Sequence, residues 1–190
     1  KYLNYYFTAS NGKGHGMHSP FVFHFITKIL NDKTAYSEYE KVENLRQQLL
    51  TDNTVLTIED FGAGSAVNKT NSRTVAAIAK NSAKPKKFGQ LIFRMIKEYQ
   101  PQTIIELGTS LGITTSYLSL AKPNAKLVTM EGAKEVAAAA KRNFSIVKLQ
   151  NCSLIEGNFD NTLSAVVGAL SEAEGTAVDF AFIDGNHRQA

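Results

Sequence analysis

The run Glu106-Leu107-Gly108-Thr109-Ser110-Leu111-Gly112 has the residue types that bring a backbone close to an anion. Gly108 and Gly112 let the chain turn sharply and approach a ligand. A helix opening just after them aims free N–H groups at the turn, which suits a carboxylate or a phosphate. Glu131 stands at the end of the next β-like run. A carboxylate there can accept two hydrogen bonds from the hydroxyls of a ribose. The glycine turn alone is weak evidence, because a tight turn and an exposed Glu also occur on unrelated folds. Turn and acidic strand end together point to an adenosine-containing cofactor. The turn lacks the G-x-G-x-x-G pattern of dinucleotide sites, which leaves a nicotinamide-binding domain as the lesser alternative.

Other reactive side chains carry less. His15, His18 and His24 match no common metal spacing and lack a Cys or carboxylate companion, so helix entry and packing are their favoured roles. Phe61-Gly62-Ala63-Gly64-Ser65 is a lone glycine loop, read as a mobile linker or a lid over the cofactor. Cys152 reads as packing near the third strand, not as a nucleophile.

The elements that must hold these residues can be read from periodicity. Residues 1–82 read as a helical extension with loops, and residues 83–190 as alternating helix and strand. Ser19-Pro20 is a capping hydroxyl followed by Pro at the first helical position. Phe21, Val22, Phe25, Ile26, Ile29 and Leu30 then give one apolar helix face. A second helix spans Tyr36 to Leu50, with Tyr39, Val42, Leu45 and Leu49 inward. Val55 to Ile58 is β-like, Phe61 to Ser72 a loop and 73–80 a short helix. Pro85 opens a helix with Phe88, Leu91, Ile92, Met95, Ile96 and Tyr99 on one face, and Pro101 ends it.

Four strands are then expected, at Thr103–Leu107, Lys126–Met130, Ser153–Ile155 and Val178–Ile183, with helices at 113–121, Lys134–Phe144 and Thr162–Leu170 between them. Leu163, Val166, Val167 and Leu170 should face inward. This alternation requires an α/β fold with a parallel sheet and right-handed crossovers. Ligands of such sheets bind at the carboxyl ends of the strands, where both Glu106–Gly112 and Glu131 fall.

The chain has 190 residues, 43% hydrophobic and 20% charged, as in an ordinary globular protein. No apolar run reaches membrane-spanning length and no signal-peptide pattern opens the chain. With a single cysteine this points to a cytoplasmic protein without membrane contact. The net charge of +4 is concentrated in Lys69, Arg73, Lys80, Lys84, Lys86 and Lys87. That cluster reads as a solvated face. It keeps RNA as a minor alternative substrate, but no aromatic–basic pattern of nucleic-acid recognition accompanies it.

Several segments resemble one family. Glu106-Leu-Gly-Thr-Ser-Leu-Gly-Ile-Thr-Thr is similar to the first motif of class I S-adenosylmethionine-dependent methyltransferases, whose sheet is Rossmann-like. Thr129-Met-Glu-Gly132 resembles their second motif, and Gly157-Asn158-Phe159 their adenine-contacting turn. Asp179-Phe-Ala-Phe-Ile-Asp184-Gly-Asn-His187 resembles their fourth strand with its metal aspartate. The likeness is to small-molecule O-methyltransferases of the catechol and caffeoyl-CoA type. His15 to Phe23 and Asp60 to Ser65 resemble an uncharacterised bacterial branch of them.

The resemblance implies a cofactor site made of Glu106, Gly108, Thr109, Ser110, Gly112, Thr114, Glu131, Gly132, Asn158 and Phe159. Gly108 would lie against the methionine part of S-adenosylmethionine. Ser110 and Thr114 would bind its carboxylate, Glu131 its ribose, and Asn158 and Phe159 would flank the adenine. Asp184 would hold Mg²⁺ or another divalent cation. His187 stands where catechol-type relatives have a lysine base, and a histidine can take the same proton.

The implied activity is metal-assisted O-methylation of a small hydroxylated molecule. A metal-independent methyltransferase and a non-catalytic cofactor-binding protein are the alternatives. The apolar N-terminal helices could serve a homodimer. The sequence supplies only the first four strands of the family's sheet and stops at Ala190. It therefore reads as a piece of a longer chain, or as a fragment that associates to cover the open edge of its fourth strand.

Overall fold

A computed structural model of the protein describes residues 19–58, 72–174 and 177–184. Its central element is a four-stranded parallel sheet flanked by helices. The first helix, α1, runs Pro20–His24 with Ser19 as its cap, and continues as a wider π-helical turn over Phe25–Leu30. It is followed by α2 (Ser37–Leu50), β1 (Val55–Thr57), β2 (Ser72–Thr74), α3 (Val75–Asn81) and α4 (Lys86–Tyr99). Then come β3 (Thr103–Leu107), α5 (Ile113–Ala121), β4 (Lys126–Glu131), α6 (Lys134–Val147), β5 (Cys152–Glu156), α7 (Phe159–Glu174) and β6 (Phe180–Ile183). No described helix is long and apolar enough to cross a membrane.

The sheet order is β5-β4-β3-β6 and every neighbouring pair is parallel. The chain moves outward from β3 through β4 to β5, then returns to β6 on the other side of β3. The crossovers therefore diverge between β3 and β6, and such a switch point leaves a crevice at the carboxyl ends of the strands. Helix α5 follows β3 directly, so its N-terminus faces that crevice.

Each face of the sheet has its own core. Ile104 and Leu127 point into the larger cluster, which also takes Val42, Leu45 and Leu49 of α2, Phe93 and Ile96 of α4, and Tyr117 of α5. The N-terminal helices thus share a core with the sheet. Their aromatic centre is Tyr36, Tyr39, Phe93 and Tyr117, packed in tilted and edge-to-face pairs with centroids 5.1 to 6.5 Å apart. On the other face Ile105, Leu107, Val128 and Met130 pack against Leu163, Val166 and Leu170 of α7.

The structure departs from the periodicity at several points. Strand β2 falls where the sequence predicts the end of a loop and the start of a helix; it pairs antiparallel with β1, Val55 opposite Thr74. On α1 only Ile29 is buried, and Phe21 and Leu30 stay exposed. A π-turn holds more residues than an α-turn, so the expected face is not kept along the helix. On α4 the buried stripe is Gly89, Ile92, Phe93 and Ile96, while Phe88 and Tyr99 are exposed. Gly89 sets that rotation, because a Cβ there would collide with the Tyr117 ring. Val167 is exposed rather than inward.

Asp179, a polar residue next to an otherwise apolar strand, ties the sheet together at its amino end. Its Oδ2 accepts from the backbone N–H of Gln102 at 2.7 Å and of Thr103 at 3.1 Å, and its own N–H donates to Thr103 O at 3.0 Å. These bonds fix β6 against the start of β3. Replacing Asp179 by Ala leaves two strand N–H groups without their acceptor and is expected to lower stability by about 1–3 kcal/mol. A urea titration of the two proteins measures this, and an unchanged midpoint would show that water replaces the carboxylate at no cost.

Candidate cofactor site at the carboxyl edge of the sheet

The turn between β3 and α5 is built on positive φ. Gly108 has φ 100°, Ser110 φ 50° and Gly112 φ 79°, and a Cβ on Gly112 would also run into the Phe144 ring. The N–H groups of Gly108 and Thr109 both donate to Met130 O at 3.0 Å, which pins the turn to the end of β4. Asn143 Nδ2 holds the turn from α6 by donating to Leu111 O at 2.9 Å.

Below the turn lies a buried carboxylate. Glu106 is fully buried, facing α5 from near the carboxyl end of β3. Its Oε2 accepts from Thr115 Oγ1 at 2.5 Å and from Thr129 Oγ1 at 2.6 Å. Thr129 Oγ1 is in turn 2.6 Å from Thr109 Oγ1. Oε1 of Glu106 has no hydrogen-bond partner. Loss of water pushes its pKa from 4.5 up to about 7, the two threonine hydroxyls oppose that rise, and the charges of Asp184 and Glu131 add to it.

Glu131 closes the other wall. Its Oε2 accepts from Ser110 N–H at 2.8 Å and its Oε1 from Ala133 N–H at 3.0 Å. Burial holds its pKa above the ordinary value despite the backbone N–H groups of Ala133, Ser110 and Gly132, which pull the other way. Its two oxygens have four lone pairs, and these backbone donors leave room for a ligand hydroxyl.

The cleft itself is lined by Gly108, Ser110, Ile113, Thr114, Asp184 and Ser82, with Ala83, Thr109 and Leu111 completing it. It is a shallow cleft open to solvent. Asp184 enters from the opposite side of the switch point, its N–H donating to Leu107 O at 2.8 Å. Its Oδ1 lies 2.6 Å from Lys84 Nζ. Lys84 belongs to the short linker between α3 and α4, and sequence reasoning placed it only among surface charges.

Among the expected site residues, Gly108, Thr109, Ser110, Thr114 and Asp184 line one cleft, with Gly112 in the same turn and Glu131 and Gly132 beside it. Glu106 lies beneath it. Thr109 sends its hydroxyl down to Thr129 rather than into the cleft. Asn158 Oδ1 caps the start of α7 by accepting from Asp160 N–H at 3.1 Å. Phe159 packs against the core of the α7 face. His187, Gly185 and Asn186 lie outside the described residues, as do His15, His18 and the glycine loop from Phe61. His24 pairs with Glu98 at 2.6 Å on the surface. Cys152 is packed against the larger core, and burial pushes its thiol up to about 12.

A divalent cation needs several hard oxygen ligands. No group of three or more His, Cys, Asp or Glu gathers among the described residues, and Asp184 already receives an ammonium. The described residues therefore do not fit the cation that the resemblance implies. They do fit an adenosine cofactor: a glycine turn, a helix N-terminus and a strand-end carboxylate with free lone pairs meet at the switch point.

Glu106 gives a signature in pH. Its folded-state pKa is raised, so the folded chain keeps a proton that the unfolded chain has lost between pH 4.5 and about 7. Its contribution to stability is full below pH 4.5 and is lost as pH rises through about 7, by up to about 3 kcal/mol. Glu106→Gln is expected to flatten the fall in melting temperature between pH 5 and pH 8. Parallel profiles for the two proteins would assign the dependence to other groups.

Residues 105–190 match the family model described as a methyltransferase domain. No curated protein matches the sequence. Among solved structures, the S-adenosylhomocysteine-bound methyltransferase PaMTH1 of Podospora anserina is similar at 18% identity, with a TM-score of 0.54, over 83% of this chain and 53% of that one. The O-methyltransferase TomG of Streptomyces achromogenes, solved with S-adenosylmethionine, is 16% identical, TM-score 0.53, over 80% of this chain and 55% of that one. An O-methyltransferase of Bacillus cereus, solved with S-adenosylhomocysteine, is 18% identical, TM-score 0.52, over 87% and 60%. The chain spans between half and two thirds of the length of these structures. At such identities the likeness is one of fold, and it is the fold derived above: a Rossmann-like α/β sheet, whose residues 105–190 are similar to the methyltransferase-domain model.

Proposed function

We propose that the chain binds S-adenosylmethionine and forms the cofactor half of an O-methyltransferase acting on a small hydroxylated molecule. The observation that carries this is Glu131. Its carboxylate is fastened by N–H groups of the glycine turn and of the α6 start, and still has acceptor capacity at the carboxyl edge of the sheet. That is a ribose acceptor placed in advance, one turn away from a helix N-terminus that suits a carboxylate.

The cofactor, when bound, supplies a sulfonium methyl group. The chain's own task is to orient the cofactor and to manage the acceptor's proton. In this reading Gly108 leaves room for the methionine part, Ser110 and Thr114 meet its carboxylate, Glu131 holds the ribose, and Asn158 and Phe159 border the adenine. Asp184 stands where the acceptor oxygen approaches. His187, close after it in sequence, takes the proton of the acceptor hydroxyl, a role that a histidine side chain can fill.

The ion pair between Lys84 and Asp184 favours a metal-independent form of this reaction over a metal-assisted one. Mg²⁺ and EDTA titrations of turnover separate the two: activity that survives EDTA supports the ion pair as the working state, and activity that requires Mg²⁺ rejects it.

Isothermal calorimetry tests the cofactor. S-adenosylhomocysteine is expected to bind and NAD not to, and Glu131→Ala should weaken the former by about tenfold or more. An unchanged affinity would remove Glu131 from the ribose site. Binding without methyl transfer to a panel of phenols, sugars and acids would make the chain a cofactor-binding protein and not an enzyme.

A further inference from the structure

One oxygen of Glu106 has no task in the reading above. The side chain is fully buried. Thr115 and Thr129 both donate to Oε2, and Oε1 has no hydrogen-bond partner. A carboxylate kept dry with half its acceptor capacity unused is costly to ionise. Its neighbours do not offset that cost. Glu131 at the end of β4 and Asp184 after β6 act on it as like charges. Cys152 of β5 feels Glu106 as well, and burial keeps that thiol neutral. Helix α5 offers a neutral hydroxyl, Thr115. The ammonium of Lys84 is engaged by Asp184.

We propose that Glu106 selects the sulfonium form of the cofactor over its thioether product, its ionised carboxylate attracting the positive sulfur and its carboxyl regaining a proton once the methyl group has left. This rests on the cofactor assignment above. Methyl transfer joins the acceptor oxygen to the methyl carbon and breaks the carbon–sulfur bond, whose electron pair stays on sulfur. The acceptor's own proton goes to the base proposed above. Sulfur is then neutral, so Glu106 loses the charge that favoured its ionisation and takes a proton from solvent. A proton leaves again when the next sulfonium enters.

The two forms of the cofactor share one adenosine and one amino-acid end, so hydrogen bonds to those parts do not tell them apart. They differ by a unit charge at sulfur, and Coulomb interactions are several times stronger at a site of reduced dielectric than in water. Glu131 is less suited to sense that charge, because N–H groups already stabilise both of its oxygens. Asp184 already has an ammonium. Of the three carboxyl groups, Glu106 alone is fully buried with a bare oxygen, and it gains most from an added cation.

The proton also has a route. Thr129 Oγ1 lies 2.6 Å from Glu106 Oε2 and 2.6 Å from Thr109 Oγ1, and Thr109 belongs to the lining of the cleft. Hydroxyls donate and accept, so this chain can pass a proton between the buried carboxyl and the turn.

Calorimetry on the whole chain tests this. Burial keeps Glu106 protonated up to about pH 7 in the empty site, and a bound sulfonium lowers that value. Affinity for S-adenosylmethionine therefore rises with pH up to about 7, while affinity for S-adenosylhomocysteine stays level. Between about pH 5.5 and 7.5 the ratio of the two affinities is expected to rise about fivefold in the wild type and to stay flat in Glu106→Gln. A flat ratio in the wild type, or an equal rise in both proteins, would overturn the proposal. Heats in two buffers of different ionisation enthalpy count protons on the wild type alone, so the test does not depend on the folding of Glu106→Gln. S-adenosylmethionine should release a fraction of a proton that S-adenosylhomocysteine does not, and equal release with both would again overturn the proposal. If the wild type binds neither, the cofactor assignment itself fails and takes the proposal with it, an outcome distinct from these.

Discussion

A carboxylate removed from water must find donors or keep its proton, and Glu106 does some of both. It sits in the middle strand of the sheet, under the first turn of α5, with two threonine hydroxyls on one oxygen and nothing on the other. Those two threonines belong to different elements, Thr115 to α5 and Thr129 to β4. Thr129 passes the chain on to Thr109 in the glycine turn. One buried group thus registers β3, β4, α5 and the turn against each other. The turn needs this support because Ser110, between its two glycines, has a φ of 50°, a conformation that non-glycine residues adopt only when their surroundings enforce it. The cleft above Glu106 has its shape because the network beneath it leaves the turn little freedom.

Much of this was legible in the sequence because the relevant signals are local. The glycines of the turn, the β-branched run before it and the Glu at the end of the next strand fall at fixed offsets, so β3, α5 and β4 could be bounded closely. Asp184 was found from its place at the end of an apolar strand. The missing pieces depend on tertiary context. Strand β2 is three residues long with no apolar alternation, and forms because β1 is there to pair with it. The buried stripe of α4 was misplaced because the side chains alone do not reveal that Gly89 is cut to fit Tyr117.

Lys84 is the instructive omission. Along the chain it belongs to a run of lysines, and a run of lysines describes a solvated surface. Only the fold brings that linker to the end of β6, a hundred residues later in the chain. The proximity of a single cation to a single carboxylate leaves no trace in periodicity or composition. Asn158 and Phe159 show the converse: their types and position were read from a motif, whereas the structure gives each a local task, a helix cap and a core contact. Neither task prevents a backbone or ring-edge contact with a ligand, but each explains why such residues stand there in its absence.

The balance of charge at this edge gives a second argument about the ligand, independent of the glycine pattern. Asp184 and Glu131 both act on Glu106 and make its ionisation harder, so three carboxyl groups converge on a site of reduced dielectric. A ligand that brings positive charge there offsets the repulsion among them that Lys84 does not already balance, and Coulomb interactions are several times stronger at such a site than in water. A dinucleotide brings a pyrophosphate, which would face the same carboxylates with the turn N–H groups and Lys84 to offset them. A sulfonium nucleoside with an amino-acid tail brings two positive groups and one negative. Its single carboxylate suits the helix N-terminus, while its positive groups suit the acidic wall. The same sheet and the same switch point serve both ligand classes in α/β proteins. On the function proposed above, it is the distribution of charge along the carboxyl edge, more than the shape of the turn, that suits a sulfonium.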